Sequence, residues 1–140
     1  MILYLDTSSL VKLYIEEDHS QIVHKWVADA EIVATSRVAF PEMMSALARR
    51  HHQGDLNDVN MKKVTDAFKK QWAQVVAVDL NEKRAGQLAI SHRLRGFDAV
   101  HLDAALTLRN ENNDIELYFS AFDNRLNKAA SNEDLQLLKV

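Results

Sequence analysis

The chain has 140 residues, 47% hydrophobic and 26% charged, with a net charge of -3. This is ordinary composition for one globular domain over residues 1–140, too acidic for a protein that grips nucleic acid by bulk charge. With no cysteine, three glycines and one proline, it excludes a disulfide framework, a thiolate zinc site and a cysteine nucleophile, fits a reducing cytoplasm, and reads without repeat, signal peptide or membrane span.

The apolar run Met1-Ile2-Leu3-Tyr4-Leu5 predicts a strand over Ile2 to Leu5, buried on both faces of a parallel sheet and ending at Asp6. Ligands on such sheets bind beyond the carboxyl ends of the strands. Asp6 is therefore either delivered to a site or a simple cap, and taken alone it supports both equally. Thr7, Ser8 and Ser9 offer N-caps for a helix from Ser9 to Glu16. A helix over Ser20 to Ala28 and a strand over Ile32 to Thr35 follow. The next helix, Val38 to Gln53, carries Pro41 in its first turn with Glu42 beside it. Glu42 either sits in solvent where the helix dipole favours it or projects over the sheet edge. Gly54 suits the end of that helix, and Asn57-Asp58 cap the next one, Asp58 to Ala73.

Val75 to Val78 reads as a strand and Glu82 to Arg95 as a helix stopped by Gly96, after which Asp98 is a natural N-cap for a helix to Arg109. The strand Glu116 to Phe119 leads through Ser120-Ala121-Phe122 to Asp123, repeating the placement of Asp6. A helix over Asn124 to Ala130 and a strand over Leu135 to Leu138 close the chain. Strands alternating with helices imply crossover connections, hence an α/β fold: three layers, α/β/α, with a mostly parallel central sheet.

Asp6, Glu42, Asp98 and Asp123 each have a bland structural role, but all four fall at a strand end or a helix start. A parallel sheet brings such positions to one edge. Four carboxylates in one cleft raise each other's proton affinity unless a cation is present, and oxygen-only ligands select a hard ion, magnesium or manganese. Such ions activate water for phosphodiester hydrolysis. His101 reads as a packed structural histidine. Asp103 lies about 140° further round the helix from Asp98 and stays outside the set. Arg49-Arg50-His51-His52, Lys62-Lys63 and Lys69-Lys70 could track an RNA backbone but read first as solvated helix surface, and Trp26 and Trp72 read as core or interface anchors before base-stacking platforms.

Four segments together resemble the PIN-domain ribonucleases, and among them the VapC-type toxins of toxin-antitoxin pairs. They are Leu5-Asp6-Thr7-Ser8 with Leu10-Val11-Lys12-Leu13-Tyr14, Glu42 in a helix ending near Arg49-Arg50, Arg95-Gly96-Phe97-Asp98-Ala99-Val100-His101-Leu102, and Ser120-Ala121-Phe122-Asp123-Asn124-Arg125-Leu126. The resemblance spans essentially the whole chain. It implies an endoribonuclease dependent on Mg2+ or Mn2+, with Asp6, Glu42, Asp98 and Asp123 as metal ligands and Ser8 orienting Asp6. Ser120, where the family often carries threonine, would position a water at the metal. It also implies an RNA substrate, a homodimer, a cytoplasmic location and a cognate antitoxin. That partner would insert a basic side chain, preferably arginine, among the acids and pack an apolar tail along Leu10, Leu13 and Tyr14, unless the core or the dimer buries them. The alternatives are a solitary RNA-processing nuclease and a catalytically inactive binding module on the same fold. Phosphoryl transfer through an aspartyl intermediate fits poorly, since no second aspartate adjoins Asp6.

Overall fold

The computed structural model describes residues 1–140. Five parallel strands form its sheet: β1 (Ile2–Leu5), β2 (Ile32–Ser36), β3 (Val76–Val78), β4 (Leu117–Ser120) and β5 (Gln136–Leu137), in the order β3-β2-β1-β4-β5. The helices are α1 (Thr7–Leu10), α2 (Ser20–Asp29), α3 (Ala39–His52), α4 (Asp58–Trp72), α5 (Glu82–His92), α6 (Gly96–Glu111) and α7 (Asn124–Asn132).

Every residue of β1 is buried, because it is the middle strand of a sheet covered on both faces. Side-chain alternation then divides the core. Ile2 and Tyr4 join Leu102 and Ala105 of α6 and Leu126 of α7 in one layer. Leu3 and Leu5 join Met43 and Leu47 of α3 and Phe68 of α4 in the other. The expected three-layer α/β/α fold is therefore present. From β1 the chain runs out to β2 and β3, then returns to the far flank as β4 and β5. The strand order reverses between β1 and β4, where a crevice opens beyond their carboxyl ends. The backbone N–H of Asp6 still reaches the carbonyl of Ser120 at 3.1 Å, keeping the exits of these two strands together.

The elements follow the sequence reading closely, with three corrections at helix ends. The helix expected over Ser9 to Glu16 starts at Thr7 and gives way to a 3-10 turn over Val11–Leu13. Asp6 itself is its N-cap, its Oδ1 accepting from the Ser9 backbone N–H at 2.9 Å, so Thr7, Ser8 and Ser9 lie inside the helix. The helix expected to reach Arg95 stops at His92, because Arg93 turns into the left-handed region at φ 54°. Gly96 consequently begins α6, and Asp98 lies within the first turn instead of capping it.

Asn57 caps α4 as expected, its Oδ1 accepting from the Asn60 backbone N–H at 2.7 Å. Asn57→Ala is expected to cost about 1 kcal/mol, read as a lower urea midpoint with an unchanged slope. An unchanged midpoint would mean that packing of Phe68 alone sets where α4 starts. Leu10 is buried in the core. Tyr14 packs its ring edge-on against Phe68 and donates its hydroxyl to Gln71 at 2.7 Å. Leu10 is therefore not available to the groove expected along Leu10, Leu13 and Tyr14, while Leu13 and Tyr14 pack against the same layer and stay partly exposed. Trp72 stands in an aromatic cluster with Phe40 and Phe68, a core anchor as anticipated.

Candidate active site

Asp6, Ser8, Glu42, Asp98 and Asp123 all line one cleft of about 720 Å³ at the crevice between the ends of β1 and β4. They arrive from separate elements: the exit of β1, the first turn of α3, the first turn of α6 and the β4–α7 link. The carboxylates of α3 and α6 come from opposite helical layers and meet over the sheet edge.

Asp6 is only 4% exposed. Its Oδ1 accepts from the Ser8 hydroxyl at 2.7 Å and from the Ser9 N–H, while no protein donor reaches Oδ2. Ser8 in turn accepts from the Phe122 N–H at 2.9 Å, tying the β1 exit to the β4 exit. Burial pushes the Asp6 carboxyl above its ordinary range. The charge of His101 and the hydrogen bonds from Ser8 and Ser9 oppose this in part, and Asp98 adds to it. Asp98 is also raised, first by burial and then by the Asp123 carboxylate, with Arg95 working against both.

Glu42 is held differently. Burial favours its neutral form, but hydrogen bonds from His101 and Thr7, with the His101 charge, outweigh that and keep the carboxyl below its ordinary range. The His101 ring is 1% exposed. Its Nε2 lies 2.8 Å from Glu42 Oε1 and 3.2 Å from Thr7 Oγ1, and its Nδ1 lies 2.8 Å from the Tyr4 hydroxyl. Thr7 donates to Glu42 Oε1 at 2.6 Å. His101 is thus a buried strut between the sheet and Glu42, consistent with its reading as a structural histidine.

Ser120 departs from expectation. It is fully buried, with Oγ 2.8 Å from Ser9 Oγ, and does not line the cleft. Pairing of Ser120 with Leu5 sets it on the same sheet face as Tyr118, toward α1. Its hydroxyl therefore braces the turn that carries Asp6. Asp123 keeps its capping role through Oδ1, which accepts from the Leu126 N–H at 2.8 Å, and leaves Oδ2 facing the cleft. Asp103 lies elsewhere, paired with Arg84 at 3.1 Å, as its helical phase implied.

Three cleft residues, Thr7, Arg95 and Phe97, carried no such role in the sequence reading, and Arg49 carried one only as the alternative to solvated surface. Thr7 looked like a cap. Arg49 lines the cleft instead of only facing solvent. Arg95 reaches Asp98 and Asp123, 3.5 Å from each. Its spacing of three from Asp98 was legible once a helix was assumed to start before it. Phe97 stands at the rim.

The acids do not already form a closed ligand cage, since no three of the acidic and histidine side chains converge tightly enough. The donors nevertheless fit a hard divalent cation. They are carboxylate oxygens with at least one oxygen of Asp6 free of protein donors, burial disfavours the ionised forms of Asp6 and Asp98, and the His101 nitrogens are already engaged.

A sequence model described as PIN domain matches residues 3–132. The chain is 33% identical over 132 residues to Ribonuclease VapC45 of Mycobacterium tuberculosis, an alignment covering 92% of this chain and 89% of the relative. Among solved structures it resembles VapC20 of Mycobacterium tuberculosis, described as a sarcin-ricin loop cleaving toxin. There the TM-score is 0.62 and the identity 16%, over 91% of this chain and 94% of that one. It also resembles VapBC2 of Rickettsia felis, solved with a DNA fragment from their promoter. That match has a TM-score of 0.65 and 15% identity, over 99% of this chain and 98% of that one. At these identities the structural likeness is one of fold.

Proposed function

Because the chain belongs to the PIN-domain family, we propose that it is an endoribonuclease, the toxin of a toxin-antitoxin pair, which hydrolyses RNA phosphodiester bonds in the cytoplasm using Mg2+ or Mn2+ held by Asp6, Glu42, Asp98 and Asp123. The observation that carries this reading is the meeting of these four acids, from four elements, in one cleft at the reversal of strand order. No helix is long and apolar enough to cross a membrane.

The divalent cation, when bound, supplies activation of water and neutralises charge developing at the scissile phosphate. The protein's own groups prepare the place. Ser8 and the Ser9 N–H fix one oxygen of Asp6 and turn the other toward the cleft. Thr7 and His101 hold Glu42 ionised and aimed from α3. His101, its ring nitrogens engaged by Tyr4, Thr7 and Glu42, acts through Glu42 as a positioning residue. Arg49 and Arg95 at the cleft walls offset the repulsion that four acids present to a polyanion.

The cognate antitoxin would silence the site with a basic side chain, since a guanidinium can bind carboxylates bidentately. It would compete with Arg95 for Asp98 and Asp123. A homodimer is part of the same proposal.

The test is cleavage of total RNA by purified protein. Activity should appear with Mg2+ or Mn2+ and vanish in excess EDTA, and products should carry 5′-phosphate and 3′-hydroxyl ends, because water and not the ribose 2′-hydroxyl attacks. Undiminished cleavage in EDTA, or 2′,3′-cyclic phosphate ends, would overturn the metal mechanism.

A further inference from the structure

Of the four apolar residues lining the acidic cleft, Val11, Ala46, Phe97 and Phe122, only Phe97 is exposed, at 58%. Phe122 has its ring faces engaged: Lys12 Nζ sits 4.5 Å from its centroid, and the His19 ring stacks at 5.6 Å. No aromatic ring of the protein stacks on Phe97. Phe97 adjoins Asp98 in the first turn of α6, and one residue of helix turns the side chain by about 100°. Asp98 therefore serves the acid cluster while Phe97 stands on the rim.

The surroundings favour a nucleotide over a protein partner. Phe97 is isolated among charged groups. The other large exposed apolar side chains, Val59, Val76, Leu80, Ile90, Ile115 and Val140, do not line this cleft. Arg95, 80% exposed, precedes it by two residues. Arg49 comes from the other helical layer, and its only protein partner is the hydroxyl of Ser45 on its own helix, at 2.9 Å. An exposed ring that shares a cleft with two arginines and the acid cluster is suited to an unpaired base with its backbone held alongside.

Resting on the endoribonuclease reading, we propose that Phe97 stacks on an unpaired base of the nucleotide beside the scissile phosphate, while Arg49 on the facing wall holds the RNA backbone. This makes Phe97 a residue that selects RNA with a splayed-out base at the cutting site over uninterrupted duplex.

The experiment uses Asp6→Asn protein as parent, so that RNA is bound without being cut, with single-stranded oligo(U) and oligo(A) as probes. Adding Phe97→Ala should weaken binding about tenfold or more without changing the dependence of affinity on salt, because no charge is removed. Adding Arg49→Ala should instead lower the salt slope by about one. Phe97→Trp should keep the affinity, and its indole emission, above the parent's Trp26 and Trp72 background, should be quenched by RNA. Equal affinity of Phe97→Ala and parent, with no quenching in Phe97→Trp, would overturn the stacking while leaving the endoribonuclease reading intact. So would wild-type cleavage of RNA by a protein whose parent variant binds neither oligomer. Loss of antitoxin binding in Phe97→Ala with RNA binding unchanged would reassign the ring to a protein contact. Absence of both RNA binding by the parent and RNA cleavage by the wild type would overturn the endoribonuclease reading itself.

Discussion

Asp6→Asn and Asp98→Asn, and likewise Glu42→Gln, are each expected to lower RNA cleavage about a thousandfold while the fold stays intact. Each exchange keeps the shape of the side chain and deletes its charge. Asp123→Asn should cost less, because Asp123 divides its oxygens between the Leu126 N–H and the cleft. Asp103→Asn is the control, since that acid faces Arg84. Cleavage at wild-type rates by Asp6→Asn and Asp98→Asn would remove these acids from the mechanism.

The same exchange at Asp6 has an opposite effect on stability. Burial, ahead of the opposing His101 charge and hydrogen bonds, raises the folded-state pKa of this carboxyl. A group so shifted favours folding when protonated. Its stabilising effect is full below the unfolded pKa and is lost as pH rises through the folded value. Asparagine keeps an Oδ1 acceptor for Ser8 and Ser9 and cannot ionise. In chelator at neutral pH, Asp6→Asn should therefore be more stable than wild type by about 0.5–2 kcal/mol, with the gap closing as the solution is made acidic. Urea denaturation at several pH values measures it, and a gap that widens toward acid would refute the account.

His101→Ala is expected to destabilise the fold by about 3 kcal/mol. It removes a buried ring that partners the Tyr4 hydroxyl, Glu42 and Thr7 at once and leaves the fully buried Tyr4 hydroxyl without that partner. Cleavage should fall as well, because Glu42 loses the hydrogen bond that sets its direction. At a temperature where the variant remains folded, its affinity for Mn2+ should be weaker than wild type. Unchanged Mn2+ affinity with reduced stability would confine His101 to the core.

The placement of Asp6 and Asp123 was legible because two apolar strands each ended near an acid, and parallel pairing of β1 with β4 makes those ends neighbours. Glu42 was legible through Pro41, which marks a helix start. Ser120 was misread because its face depends on register: pairing with Leu5 sends it under the site, and alternation within so short a strand does not reveal which partner it meets. Arg95 and Phe97 escaped notice for a different reason. The left-handed turn at Arg93 ends α5 early and starts α6 two residues before Asp98, bringing both side chains to the cleft. No glycine marks position 93, so the break had no local signal. His101 sat in an apolar run, where a bridge to Tyr4 and Glu42 depends on contacts distant in sequence.

The division of the core between two helical layers also orders events in time. Asp6 and Glu42 belong to the first half of the chain, whereas Asp98 and Asp123 come with the layer built from α5, α6 and α7. At about 5–20 residues per second, a ribosome spends several seconds carrying a nascent chain that owns half of its acids and lacks β4, the strand that lines up beside β1. Until that strand is inserted, the exit of β1 has no neighbour to complete the crevice. A chain extended only through α3 therefore carries Asp6 and Glu42 but has no assembled cleft, which forms once β4 pairs with β1 and brings Asp123 beside Asp98.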